Sequence, residues 1–99
     1  MPGVARQFDK STGHGSYPPT PCVSQVASTV RANGRRVQKV GSEYVTHKDG
    51  TSVHPQSARK VASGSGTVRV EGSPIARIGD PISCGDSIGQ CSGNVYAGG

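Results

Sequence analysis

Four side chains of this sequence could hold a transition metal between them: His14, His47, His54 and Cys84. Three imidazoles and one thiolate form a complete tetrahedral donor set for zinc, with bonds of roughly 2.0–2.1 Å to nitrogen and roughly 2.3 Å to sulfur. Zn2+ with one thiolate and three neutral imidazoles carries about +1 and keeps no position open for water, so such a centre is structural rather than catalytic. Spacing by itself does not require this reading, because the four residues lie far apart and follow no zinc-finger pattern. Scattered histidines also occur simply as polar loop residues, and Cys84 can be read as a buried thiol. The other cysteines, Cys22 and Cys91, form no C-x-x-C pair, and three is an odd number, so no disulfide framework is expected. Cys22 and Cys91 read as small buried or semi-exposed thiols. Asp9, Asp80 and Asp86 read as turn formers or backbone caps. No nucleophile elbow, H-E-x-x-H or P-loop is present, and Ser63-Gly64-Ser65-Gly66 lacks the P-loop lysine and reads as a flexible turn. No catalytic residue is therefore assigned, and the chain is not expected to be an enzyme.

Distant ligands need a scaffold that brings their loops together, and the sequence contains one as a repeat. Thr67-Val68-Arg69-Val70, Glu71-Gly72 and Pro74-Ile75-Ala76-Arg77-Ile78 read as strand, tight turn and return strand, ended by Gly79-Asp80-Pro81. Subtracting 38 places Thr67-Val68-Arg69 on Thr29-Val30-Arg31, Gly72 on Gly34, Ile75 on Val37, Arg77 on Lys39 and Gly79 on Gly41. Asn33-Gly34 is a type I′ hairpin signal between strands expected at 29–32 and 35–40. A third copy is divided between the chain ends: Val4-Ala5-Arg6 and Asp9 match Ile75-Ala76-Arg77 and Asp80, while 93–99 match 66–72. Three units that close in this way bring the termini together. The loops after the return strands carry His14, His47 and Cys84, which suggests three ligands converging on one axis. His54 departs from the repeat logic. It shares the longest irregular stretch, 41–60, with His47, and a loop of that length needs a local organiser such as ligation.

The opening Met1-Pro2-Gly3-Val4-Ala5-Arg6, the block Ser73-Pro74-Ile75-Ala76-Arg77-Ile78-Gly79-Asp80 and the closed triple repeat resemble PAAR-repeat proteins, over nearly the whole chain. Ser73–Arg77 differs from the proline-alanine-alanine-arginine signature by one residue, and Pro2–Arg6 is a looser version with an insertion. The resemblance implies a single domain over 1–99, all-β and conical (pyramidal), built of short strands with pseudo-threefold repeats and pinned near the apex by one structural Zn2+. It implies a monomer capping a trimeric β-helical spike (VgrG-like or a phage central spike protein), sharpening it and making transient contact with a target cell envelope. Its place would be a virion tail tip, or the bacterial cytoplasm followed by injection with a type VI spike. Val30, Val68, Val70 and Val95 are candidates for the face that meets the spike.

Composition agrees with that scaffold. Only 31% of the 99 residues are hydrophobic, with one Phe and no Trp, so a large conventional core is excluded and a metal staple would help. Fifteen glycines and seven prolines imply many turns, and no helix is assigned. No apolar run reaches membrane-spanning length, and no apolar h-region follows Met1, so a signal peptide is not expected. The net charge of +5 suits a solvated basic surface. It also admits an alternative reading as a small basic zinc-stabilised nucleic-acid-binding module. The cations are dispersed and lack an accompanying aromatic motif, so nucleic acid is not the expected partner.

Overall fold

Closely spaced glycines and prolines leave no room for long strands. The computed structural model describes residues 2–98, and its strands are two or three residues long. They are β1 (Cys22–Ser24), β2 (Arg31–Ala32), β3 (Arg35–Arg36), β4 (Glu43–Tyr44), β5 (His47–Lys48), β6 (Val53–His54), β7 (Arg69–Val70) and β8 (Ser73–Pro74). All pair antiparallel, as β1–β4, β2–β3, β5–β6 and β7–β8. A 3-10 turn at Gln56–Ala58 is the single helical element among the described residues, so none of their helices could cross a membrane. The turns of β2–β3 and β7–β8 put Asn33-Gly34 and Glu71-Gly72 in the left-handed region, as type I′ hairpins require.

The strands expected at 29–32, 35–40, 67–70 and 74–78 are each cut to two residues. Beyond β3 and β8 the return arms leave their hairpin partners and bond to the neighbouring repeat. Val4 bridges Arg77, Arg6 bridges Val37 and Lys39 bridges Ile75. At the centre the backbone closes a ring: Gln38 N–H donates to Ala5 (2.9 Å), Ala76 N–H to Gln38 (3.0 Å) and Ala5 N–H to Ala76 (3.0 Å). All three residues are fully buried. Small side chains suit a crowded axis. Gln38 fits because its amide donates to the Arg6 carbonyl (2.8 Å) and accepts from the Tyr44 hydroxyl (2.8 Å). The extents of 38 × 24 × 22 Å, with two nearly equal short axes, match a cone about a rotational pseudo-axis.

The divided repeat forms as the sequence predicts. Val4 N–H donates to Val95 (2.8 Å), as Val37 N–H does to Val30 and Ile75 N–H to Val68. Ala97 N–H donates to Pro2 (3.1 Å), next to the termini Met1 and Gly99, which lie outside the described residues. At the same end the tip of each hairpin holds the next unit. Glu71 accepts from the N–H groups and hydroxyls of Ser28 and Thr29. Asn33 donates to Asn94 (2.7 Å), and the Gly98 carbonyl accepts from Ser65 and Arg77. Ser63–Gly66 is consequently an ordered turn rather than a flexible one. Ser65 is buried, its hydroxyl accepts from the N–H groups of Thr67 and Val68, and a Cβ on Gly64 would lie 2.5 Å from the Ile75 oxygen.

Two apolar layers flank the ring. On the hairpin side, Val4, Val37 and Ile75 pack with Ala32, Val70, Ala97 and Ala27. Val70 is therefore interior and is removed from the candidate docking face. Val30, Val68 and Val95 remain, at three equivalent positions and 39%, 37% and 38% exposed. On the other side Cys22, Tyr44, Val61, Ile82 and Ile88 pack against Ala5 and Ala76, with Cys84 at the margin.

Candidate metal centre

The corners that lead from the ring toward the site are built by the turn residues that recur in the repeat. Asp9 accepts from the N–H and guanidinium of Arg6, and Asp80 accepts from those of Arg77 in the same way. In the middle repeat Lys39 replaces the arginine, and the Ser42 hydroxyl accepts the Lys39 N–H (2.9 Å). Asp9 and Asp80 are thus turn-forming acids, as their positions predict. After each corner the chain runs along its neighbour, through Thr12 N–H to Ser87 (2.9 Å), Val45 N–H to Pro21 (2.9 Å) and Ser83 N–H to Lys60 (2.8 Å). His14, His47 and Cys84 follow these three equivalent bonds by one or two residues, so the pseudo-axis delivers them to one place.

His54 arrives by a different route. The stretch 41–60 is not irregular: β5 and β6 form a hairpin in which His47 pairs directly with His54. Cross-strand neighbours have adjacent side chains, which gives the pseudo-threefold site a fourth donor. At the hairpin tip Asp49 accepts from the N–H groups of Thr51 and Ser52. These bonds lower its carboxyl to about 2. Ser16 ties this tip to the His14 turn (3.3 Å).

The ligand atoms of His14, His47, His54 and Cys84 all lie within 4.8 Å of one another. Cys84 Sγ is 3.9 Å from His14 Nε2 and 3.8 Å from His47 Nε2, and His47 Nε2 is 3.0 Å from His54 Nδ1. Ordinary zinc bond lengths at tetrahedral angles put donors about 3.3 Å (nitrogen to nitrogen) and about 3.6 Å (sulfur to nitrogen) apart, so these three pairs lie within a few tenths of an ångström of a zinc shell, and the most widely spaced donors, within 4.8 Å, would draw in further around an ion. His47 Nδ1–H donates to the Pro18 carbonyl (3.0 Å), which leaves Nε2 with its lone pair facing the cluster. Burial lowers the His47 pKa and favours that neutral form. The four residues could hold a metal ion, and the mixed imidazole–thiolate set suits zinc.

Beneath the ligands lies a buried ion pair with no sequence signature. Arg59 Nη2 donates to Asp86 Oδ2 (3.0 Å) and Ser11 Oγ (3.1 Å), and both charged side chains are fully buried. Burial raises the Asp86 pKa, but the Ser11 and Thr12 hydroxyls, the Ser87 N–H and Arg59 outweigh it and the net shift is downward. Asp86 is therefore a buried counter-ion as well as an acceptor for Ser87. Arg59 Nε and Nη1 have no hydrogen-bond partner among the described residues. Burial lowers the Arg59 pKa, and the pairing with Asp86 opposes that shift. Tyr17, also unassigned by the sequence reading, stacks beside the histidines; its place three residues after His14 was the available signal. Cys22 and Cys91 are free thiols outside the cluster, with Cys22 buried.

A closed three-repeat β-cone with a His3Cys cluster at the end opposite its hairpin tips defines the class of this protein. The PAAR motif family model matches residues 12–90, and the chain belongs to that family. A comparison with curated proteins gives no match. Membership explains the signature residues: Ala76 closes the axial ring and Arg77 clamps the corner through Asp80. The family is structural rather than enzymatic, and its members have a spike-tip-type role in contractile injection systems.

Proposed function

We propose that this chain caps and sharpens the trimeric β-helical spike of a phage tail or type VI secretion system. The observation that carries this reading is the matched exposure of Val30, Val68 and Val95 around one pseudo-threefold end. A monomer with three similar faces can meet three identical chains, each face against one chain. Strand edges and apolar side chains at that end would continue the spike's sheets. The opposite end, drawn together by His14, His47, His54 and Cys84, would be the point that contacts the target envelope. One structural zinc bound by these four residues would hold the point closed. The repeats occupy 1–99 as one domain, and the mechanical role needs no catalytic residue.

Elemental analysis of protein purified without a histidine tag tests the metal, with one zinc per chain expected. Pull-down on an isolated trimeric spike β-helix tests the partner, with one chain expected per trimer. Binding should be lost when Val30, Val68 and Val95 are replaced together by Asp. A stable homotrimer of this chain, or undiminished binding by the triple variant, would count against the cap.

A further inference from the structure

Each histidine of the cluster lies beside the same aromatic ring. The Tyr17 ring stacks on His54 at 4.0 Å between centroids and 12° between planes, and on His14 at 4.9 Å and 23°. It stands 4.7 Å from His47, tilted by 34°. This position is set by the backbone. His14 and Tyr17 exchange N–H···O bonds of 3.1 and 2.9 Å, folding the turn so that Tyr17 returns over the histidine. Gly13 permits the close approach, since a Cβ there would lie 2.8 Å from the Tyr17 oxygen and its φ is +76°. Pro18 then presents the carbonyl that orients His47. One short segment therefore supplies a ligand, the orienting acceptor of a second ligand, and a ring against all three imidazoles.

We infer that Tyr17 is a positioning residue, an aromatic lid that keeps the imidazoles in their ligating orientation and slows exchange of the bound ion. A stacked ring restricts rotation of each imidazole about its Cβ–Cγ bond. It also excludes water and chelators, which must reach the ion before a ligand can be displaced. The phenol is not a fifth ligand, because the ring lies parallel to two of the imidazoles and the donor set is already complete. The hydroxyl should therefore be dispensable and the ring should not. Outer partners that orient ligands by hydrogen bonds are worth about 10- to 100-fold in metal affinity, and an orienting ring acts on the same freedom of the imidazoles.

The inference rests on the metal reading of the cluster and can fail separately from it. Wild-type, Tyr17→Phe and Tyr17→Ala proteins would be loaded with cobalt(II), and its transfer to a chromogenic chelator followed by stopped flow. The wild type and Tyr17→Phe should release cobalt at rates within about twofold of each other. Tyr17→Ala should keep the absorption of tetrahedral cobalt and release it about tenfold faster or more. Release from Tyr17→Ala at the wild-type rate, or from Tyr17→Phe as fast as from Tyr17→Ala, overturns the lid. If Tyr17→Ala does not load, Tyr17→Phe decides: wild-type retention supports the lid and rapid loss overturns it. Failure of the wild type itself to bind cobalt or zinc overturns the metal centre, and the lid with it.

Discussion

At the scale of single residues, two cysteines of one apolar layer lie in different surroundings. Cys22 is enclosed by apolar side chains, and burial pushes its thiol up to about 12, so it stays protonated. Cys84 sits among imidazoles. Cys84→Ser should lower the melting temperature, and a chelator should lower it for wild type but leave the Cys84→Ser protein little changed. Cys22→Ala should cost stability through its cavity while remaining chelator-sensitive. The buried pair offers a second residue-scale test. Removing one partner leaves an uncompensated buried charge, so Asp86→Ala should cost about 3–5 kcal/mol in chemical denaturation. The third test is Phe8, which is 59% exposed with φ +74°, where the equivalent repeats have Gly41 and Gly79. An L side chain in that region costs roughly 1–2 kcal/mol, partly offset by the greater unfolded-state freedom of glycine. Phe8→Gly should leave stability unchanged or raise it by up to about 1 kcal/mol, whereas Gly79→Ala should lower it by about 1 kcal/mol despite open space around it.

At the scale of elements, two-residue strands cannot stand alone, and their hairpins depend on the ties between tips. Glu71 is the strongest such tie. The hydroxyl and N–H of Thr29, followed by the Ser28 N–H, lower its carboxyl from 4.5 to about 2. The folded form therefore prefers the ionised group more than the unfolded chain does. The resulting stability is present in full above about pH 4.5 and is lost as pH falls toward about 2. Urea titrations of wild type and Glu71→Gln should show a gap at neutral pH that closes across this window. A gap that persists at pH 2 would assign the effect to geometry rather than charge. Loss of metal in acid affects both proteins and leaves the comparison intact.

At the scale of the whole molecule, the closed axial ring makes the position of the chain break secondary. Pro2 and Ala97 are already hydrogen-bonded, and Gly50 lies exposed at the tip of β5–β6. A permutant with a short glycine linker between the old ends, reopened at Gly50, should refold as a β-rich monomer in the presence of zinc. Its circular dichroism and sedimentation should match those of the wild type. Failure to fold would show that β5–β6 must be continuous to gather His47 and His54.

Much of this arrangement could be read from residue order, because repeats report symmetry directly. Gly72 on Gly34, Arg77 on Lys39 and Val95 on Val68 were sufficient to infer three units, a closed chain and the convergence of His14, His47 and Cys84. His54 was identified by its chemistry, but its place depended on β5–β6 register, which no repeat encodes. Turn signals located the hairpins, yet the strands were overextended, because a sequence pattern cannot tell a ladder within one hairpin from bonds to the neighbouring repeat. Packing made the remaining distinctions. Val70 faces the interior while Val68, two residues earlier, is exposed at the rim, because the cone closes above one and ends at the other. Arg59 and Tyr17 look in sequence like ordinary polar and loop residues. They become a buried counter-charge and a stacked lid only when segments distant in the chain surround them.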